Sequence, residues 1–174
     1  MNVTAPPDRA GRWAAVRPWL STAARLGLAA VWLVAGASKV GDLAASGRAV
    51  NAYQVLPYDV ATVVGAALPF VELALGVLLL LGLATRLSAA ISAALLLVFI
   101  AGISSAWARG LAIDCGCFGS GGQLAEGQAP SYLPEILRDL GFLVLAGFLV
   151  IWPRTPVSVD GWLSAEPAVE DEDE

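Results

Sequence analysis

The sequence predicts an all-α membrane protein, a bundle of four transmembrane helices with both chain ends on the cytoplasmic side. Three observations carry that prediction. The chain is 57% hydrophobic and only 14% charged over 174 residues, with a mean hydropathy of +0.72, too apolar for an ordinary soluble domain. Its apolar residues gather in four stretches of roughly 20, the length that matches the hydrocarbon thickness of a bilayer. Lysine and arginine favour the flanks on one side of those stretches, which marks that side as cytoplasmic.

The same composition excludes several function classes. Histidine is absent, which removes the usual general base and every His-containing triad, and hydrolase readings fall with them. A zinc site takes about four N/S ligands, so no metal is expected from one chain with two cysteines and no histidine. The formal charge of -5 comes largely from the tail beyond Glu166 and says little about substrates. No basic stripe suggests a nucleic acid.

Residues 1–19 read as a cytoplasmic basic segment carrying Arg9, Arg12 and Arg17, without a convincing signal-peptide cleavage pattern, so the first span is expected to be retained. That span covers about 20–40. Its small residues Ala29, Ala30, Ala35, Gly36 and Ala37 allow a neighbouring helix close approach, and Lys39 closes it. Gly41 to Asp59 is expected to be an interfacial loop whose Tyr53 and Tyr58 suit the headgroup level. The second span, about 61–83, carries Pro69 and Glu72 near its middle. An ionisable group at that depth is costly, so Glu72 should face the bundle interior, with a structural hydrogen bond or a functional proton as the two readings.

Thr85 and Arg86 make a connection too short for anything but an antiparallel third span, about 87–107. The long segment from Arg109 to Tyr132 is rich in glycine and reads as a non-helical loop. A fourth span, about 133–152, opens with Glu135, Arg138 and Asp139 in its first two turns. Residues 153–174, ending in five consecutive acids, read as a disordered cytoplasmic tail, because such a segment buries too little apolar surface to fold. Arg9, Arg12, Arg17, Arg86 and Arg154 fall on one side of this arrangement, and Lys39, Arg48 and Arg109 on the other. The loop after the third span then faces the oxidising side, where a disulfide persists.

That loop starts with Asp114-Cys115-Gly116-Cys117-Phe118-Gly119, which holds both cysteines of the chain. A glycine between two thiols permits backbone angles that bring the sulfurs within bonding range. A bond over so short a ring is strained, and strained, exposed disulfides tend to be catalytic or regulatory. The pair therefore reads as a dithiol/disulfide exchange site, against the alternatives of an inert staple or two cysteines packed at a helix end. Lys39, Glu72, Arg138 and Asp139 are expected to converge beneath this loop, with Arg138 or a water reaching Glu72, because a charge left alone in hydrocarbon is expensive. The cluster is either an inert structural network or part of proton and electron transfer.

Ordered landmarks along the chain resemble the MauE branch (methylamine-utilisation protein E) of the DoxX-like four-helix membrane proteins. They are Ala35-Gly36-Ala37-Ser38-Lys39, Tyr53-Gln54-Val55-Leu56-Pro57, Pro69-Phe70-Val71-Glu72, Cys115-Gly116-Cys117-Phe118-Gly119 and Arg138-Asp139. The resemblance implies a membrane protein associated with thiol redox, working beside a thioredoxin-like partner in the maturation of exported disulfide-containing proteins. A more distant resemblance, to membrane oxidases that pass electrons from thiols to quinone, implies a quinone acceptor. Those enzymes use a Cys-x-x-Cys pair and usually further cysteines, which this chain lacks. Three functions follow: a thiol-disulfide carrier using Cys115 and Cys117, a non-enzymatic scaffold of a redox complex with structural or soft-metal-binding cysteines, and a small-solute transporter motivated by Glu72.

Overall fold

The computed structural model describes residues 9–116, 121–124 and 128–163. Four long helices, α1 (Arg9–Val40), α3 (Tyr58–Leu81), α4 (Thr85–Ala108) and α5 (Tyr132–Ile151), are joined by the shorter α2 (Leu43–Ala52) and followed by α6 (Val159–Leu163). A minimal hairpin, β1 (Ile113–Asp114) and β2 (Gly122–Gln123), pairs antiparallel between α4 and α5. Three helical segments are long and apolar enough to cross a membrane: Trp13–Val40, Tyr58–Leu81 and Thr85–Ala108. The protein is thus an all-α, multi-pass membrane protein. Helix α5 is not among these three segments, since Glu135, Arg138 and Asp139 stand in its first two turns.

Close backbone approach organises the bundle. A Cβ at Gly36 would lie 2.8 Å from the Pro69 carbonyl oxygen, and one at Gly76 would lie 2.7 Å from Leu33 Cγ, so only glycine permits the seam between α1 and α3. Helix α4 packs instead along α5, and α3 and α4 touch each other sparsely although a tight turn joins them. Leu28, Trp32, Leu75, Leu79, Leu96 and Leu149 fill the space among the four long helices. Within it, Trp32 Nε1 of α1 donates to Ser92 Oγ of α4 at 2.9 Å, and Ser92 donates onward to the Ser88 carbonyl on its own helix.

Residues 41–57 differ most from expectation. They are not simply a loop: α2 packs one face against the first half of α3, burying Ala45, Ser46, Gly47, Ala49 and Ala52. A Cβ on Gly65 would sit 2.5 Å from the Ser46 carbonyl oxygen, which measures how closely the two helices approach. Asp42 caps α2 by accepting from the Ala45 amide at 2.8 Å. Consequently α1 ends beside the middle of α3, and Lys39 is buried within the bundle rather than closing a span at the water boundary. A second correction concerns residues 9–19, which continue α1 as helix. Trp13 stacks edge-on to Trp152 with ring centroids 6.3 Å apart, and Ser21 Oγ donates to the Trp152 carbonyl, so this extension leans on the end of α5.

The first part of the acidic tail is also ordered. Arg25, only 2% exposed, donates through Nη1 to the Leu79 and Leu80 carbonyls at 2.9 and 3.2 Å, and through Nη2 to the Val157 carbonyl at 2.5 Å. Asp160 accepts from the Ala84 and Thr85 amides at 2.8 and 2.9 Å and thereby caps α4 from outside that helix. Its own amide donates to the Gly82 carbonyl. Partial burial pushes the Asp160 carboxyl up, but those amides, the Thr85 hydroxyl and the Arg25 charge outweigh it and hold it below the usual carboxylate range. The folding signal missed in the sequence is the pairing of a lone intramembrane arginine with a short acidic helix. The terminal acidic run itself lies outside the described residues.

Candidate functional site

The site is built at the end of the bundle where α4 stops. Gly110, at φ +68°, turns the chain out of α4 and into β1. Below β1 and β2, Ala52, Ile103, Ala106, Ile113 and Tyr132 form a second apolar cluster that seats the hairpin on the helices. Three hydrogen bonds fix its height. The Tyr132 hydroxyl donates to the Leu111 carbonyl and accepts from the Ile113 amide at 3.3 Å, and the Tyr53 hydroxyl donates to the Cys115 carbonyl at 3.2 Å. Tyr53, read from the sequence as a headgroup anchor, thus positions the cysteine segment. Arg109 extends the support by donating to the Tyr53 carbonyl.

Cys115 follows β1 directly and is half-buried. Gly116 takes φ +66°, the left-handed backbone that glycine adopts without strain, and its amide donates to Asp114 Oδ1 at 3.1 Å. Gly121 then crosses so near Gly116 that a Cβ on it would fall 2.0 Å from the Gly116 Cα. Two glycines are therefore required for the chain to turn back on itself here. Cys117 lies outside the described residues.

Four charged residues singled out in the sequence resolve into two ion pairs. Lys39 Nζ lies 2.5 Å from Glu72 Oε1, tying α1 to α3, with side chains 5% and 1% exposed. Glu72 does face the bundle interior. Its partner is Lys39, so the expected reach of Arg138 down to Glu72 is not needed to neutralise it. Arg138 Nη2 instead lies 2.9 Å from Asp139 Oδ1 on the same helix, and it also approaches Cys115 Sγ at 3.7 Å. The second oxygens of Glu72 and Asp139 are buried without a hydrogen-bond partner among the described residues. Such orphaned acceptors cost free energy in a low-dielectric interior.

Two features escaped the sequence reading. Glu135, taken only as a helix-start acid, joins Asp114 and Cys115 in a cluster whose ligand atoms all lie within 4.8 Å of one another. The set offers two hard oxygens and one soft sulfur, one donor fewer than a closed tetrahedral zinc site takes. The spacing Cys115 to Glu135 spans a loop, so no periodicity announces it. The other feature is a cavity of about 220 Å³. It lies among α1, α2, α3 and α4, and both Lys39 and Cys115 line it.

Comparison with known proteins follows the same landmarks. A family model described as methylamine utilisation protein MauE matches residues 17–152, a stretch that contains both ion pairs, both cysteines and the cavity. The methylamine utilization protein MauE of Paracoccus denitrificans is 35% identical over 150 residues, which cover 86% of this chain and 77% of that protein. No solved structure matches the chain. With the family model covering most of its length and a relative this similar across nearly all of it, the chain belongs to the MauE family.

Proposed function

We propose that this protein exchanges thiols and disulfides through Cys115 and Cys117 on the extracytoplasmic face of the cell membrane. In this reading a thioredoxin-like partner exchanges with the pair, in support of disulfide formation in exported proteins of methylamine utilisation. The observation that carries the reading is the setting of Cys115. Cys115 is half-buried, with its sulfur 3.7 Å from the Arg138 guanidinium, in a turn that only glycines permit. The guanidinium favours the thiolate, which is the attacking species, while Asp114 and Glu135 oppose it. In exchange, one thiolate attacks a partner disulfide and the other resolves the mixed disulfide, with two electrons and two protons passing between the pairs.

The orientation rests on charge. With Lys39 buried in its ion pair, Arg9, Arg12, Arg17, Arg86 and Arg154 stand against Arg48 and Arg109, a bias that favours the first set's side as cytoplasmic. The test is disulfide exchange by the purified protein against a thioredoxin-like disulfide protein, with Cys115→Ser and Cys117→Ser variants. Each single variant is expected to lose turnover by at least a hundredfold, and one of them to accumulate the mixed disulfide. Undiminished turnover in both overturns the reading.

The Asp114, Cys115 and Glu135 cluster favours a second reading, a scaffold that binds a borderline divalent metal such as Zn²⁺ through Cys115 and the two carboxylates with a donor from elsewhere. Stoichiometric metal in the purified protein, lost on Cys115→Ser together with assembly, supports that reading instead.

A further inference from the structure

At the end of the bundle opposite the cysteines, the first turn of α4 and the segment that leaves α5 enclose a cleft of about 560 Å³, whose lining includes Thr85, Arg86, Leu87, Pro153, Arg154 and Thr155. We propose that this cleft binds the phosphate of an anionic phospholipid between Arg86 and Arg154. The two arginines come from different elements, and neither is ion-paired among the described residues. Each presents a planar fork of donors that matches phosphate oxygens. Asp160 lines the cleft as well, but its carboxylate is engaged by the Ala84 and Thr85 amides, which leaves two cationic side chains against one occupied acid. The amides of Arg86 and Leu87 have no acceptor within α4, because its ladder begins with the Ser88 amide on the Ala84 carbonyl. The positive end of the helix therefore adds to the attraction for an anion. Thr155, 8% exposed, lines the same cleft, and its hydroxyl has no hydrogen-bond partner among the described residues.

The surroundings select a lipid rather than a free anion. Leu87, next to Arg86, and Ile151, three residues before Arg154, are both exposed, so the cleft stands where the outward apolar surface of α4 and α5 ends. Trp19 and Trp162 are exposed at this same end, and tryptophan settles at the headgroup level of a bilayer. The volume falls within the ~300–1,000 Å³ typical of ligand sites and admits a glycerophosphate headgroup with its acyl chains left in the hydrocarbon. On the orientation argued above, this is the cytoplasmic leaflet, whose anionic lipids attract basic residues near its surface. A phosphate held there bridges the start of α4 to the segment after α5. The proposal is independent of the exchange reading.

The test uses the full-length protein, delipidated in a neutral detergent and titrated with phosphatidylglycerol or phosphatidylcholine, with retained lipid counted by native mass spectrometry. One phosphatidylglycerol per chain is expected at a concentration where phosphatidylcholine is not retained. Arg86→Gln combined with Arg154→Gln should weaken that retention at least about tenfold. Arg17→Gln combined with Arg48→Gln removes the same charge outside the cleft and should leave retention within about twofold. Equal retention of the two lipids, or equal loss in the two double variants, overturns the proposal. Inorganic phosphate separates the sources of the anion: failure to displace the lipid supports a lipid site, and displacement at equal concentration overturns it in favour of a free-anion site. If the first double variant does not fold, a photoreactive phosphatidylglycerol on the parent decides. Attachment to residues 85–87 or 153–155 supports the site, and attachment elsewhere overturns it.

Discussion

The two ends of this bundle use buried charge in opposite ways. At the Arg25 end, one arginine and one aspartate direct their hydrogen bonds to main-chain carbonyls and amides of the α3 to α4 turn and of residues 157–160. At the Cys115 end, Lys39 binds Glu72 and Arg138 binds Asp139, side chain to side chain, and each acid keeps one buried oxygen without a partner. Charges of the first kind close orphaned helix ends and hold a fold together. Charges of the second kind sit beside a cavity and a thiol, and each end keeps buried polar atoms without a hydrogen-bond partner among the described residues, Arg25 Nε at one and Glu72 Oε2 and Asp139 Oδ2 at the other. The two ends thus differ in partners: main chain at one, side chains beside a thiol and a cavity at the other.

The largest expected effect comes from breaking the Lys39–Glu72 pair. Glu72→Leu leaves a buried ammonium uncompensated and is expected to cost about 3–5 kcal/mol, read as loss of thermal stability in detergent. Glu72→Gln should be milder, and Lys39→Met combined with Glu72→Leu should recover most of the loss. If Glu72→Leu is as stable as the parent, the pair is not buried as described.

Next in size is Arg25→Ala, which strips charged hydrogen bonds from the Leu79, Leu80 and Val157 carbonyls and is expected to cost about 2–3 kcal/mol. Disulfide exchange per folded molecule should not change, and a specific loss of exchange would break the division between the two ends. Gly65→Ala should cost about 1–3 kcal/mol by overpacking, since its Cβ meets the Ser46 carbonyl and the Gly47 backbone. Its damage should fall on α2, so hydrogen exchange should rise in residues 43–52 and not around Arg25.

The smallest effect is one of pH. The folded Asp160 carboxyl lies below its unfolded value, so its stabilising contribution is present above about pH 4 and is lost as pH falls through the folded value. Asp160→Asn should therefore lower stability at neutral pH and flatten its fall in acid, measured as melting temperature against pH. An unchanged profile would show that the cap on α4 carries no weight.

The four long helices and their order were legible in the sequence, three of them because a bilayer imposes length and apolarity on each crossing, whereas the short α2 and α6 were not. Glu72 was legible too, since its depth demanded a partner. Lys39 was legible as one of four charges expected to pair, but its particular partner was not, since Arg138 was expected to reach Glu72. The small residues of α2, Ala45, Gly47 and Ala49, were the signal that this stretch packs inside the bundle. Arg25 carried a warning in its position within an apolar run, but its carbonyl partners are 54 residues and more away and have no side-chain signature. Glu135 and Tyr53 reach Cys115 only through the fold, and such convergence of distant residues is what periodicity does not encode.

The central claim, that the cysteine pair is an extracytoplasmic exchange site, is tested most directly by an impermeant, mass-shifting maleimide on intact spheroplasts. Little labelling is predicted before reduction, and two labels per chain after mild reduction, with no increase when the membrane is opened. Labelling that appears only after the membrane is opened, or that is complete without reduction, would contradict it.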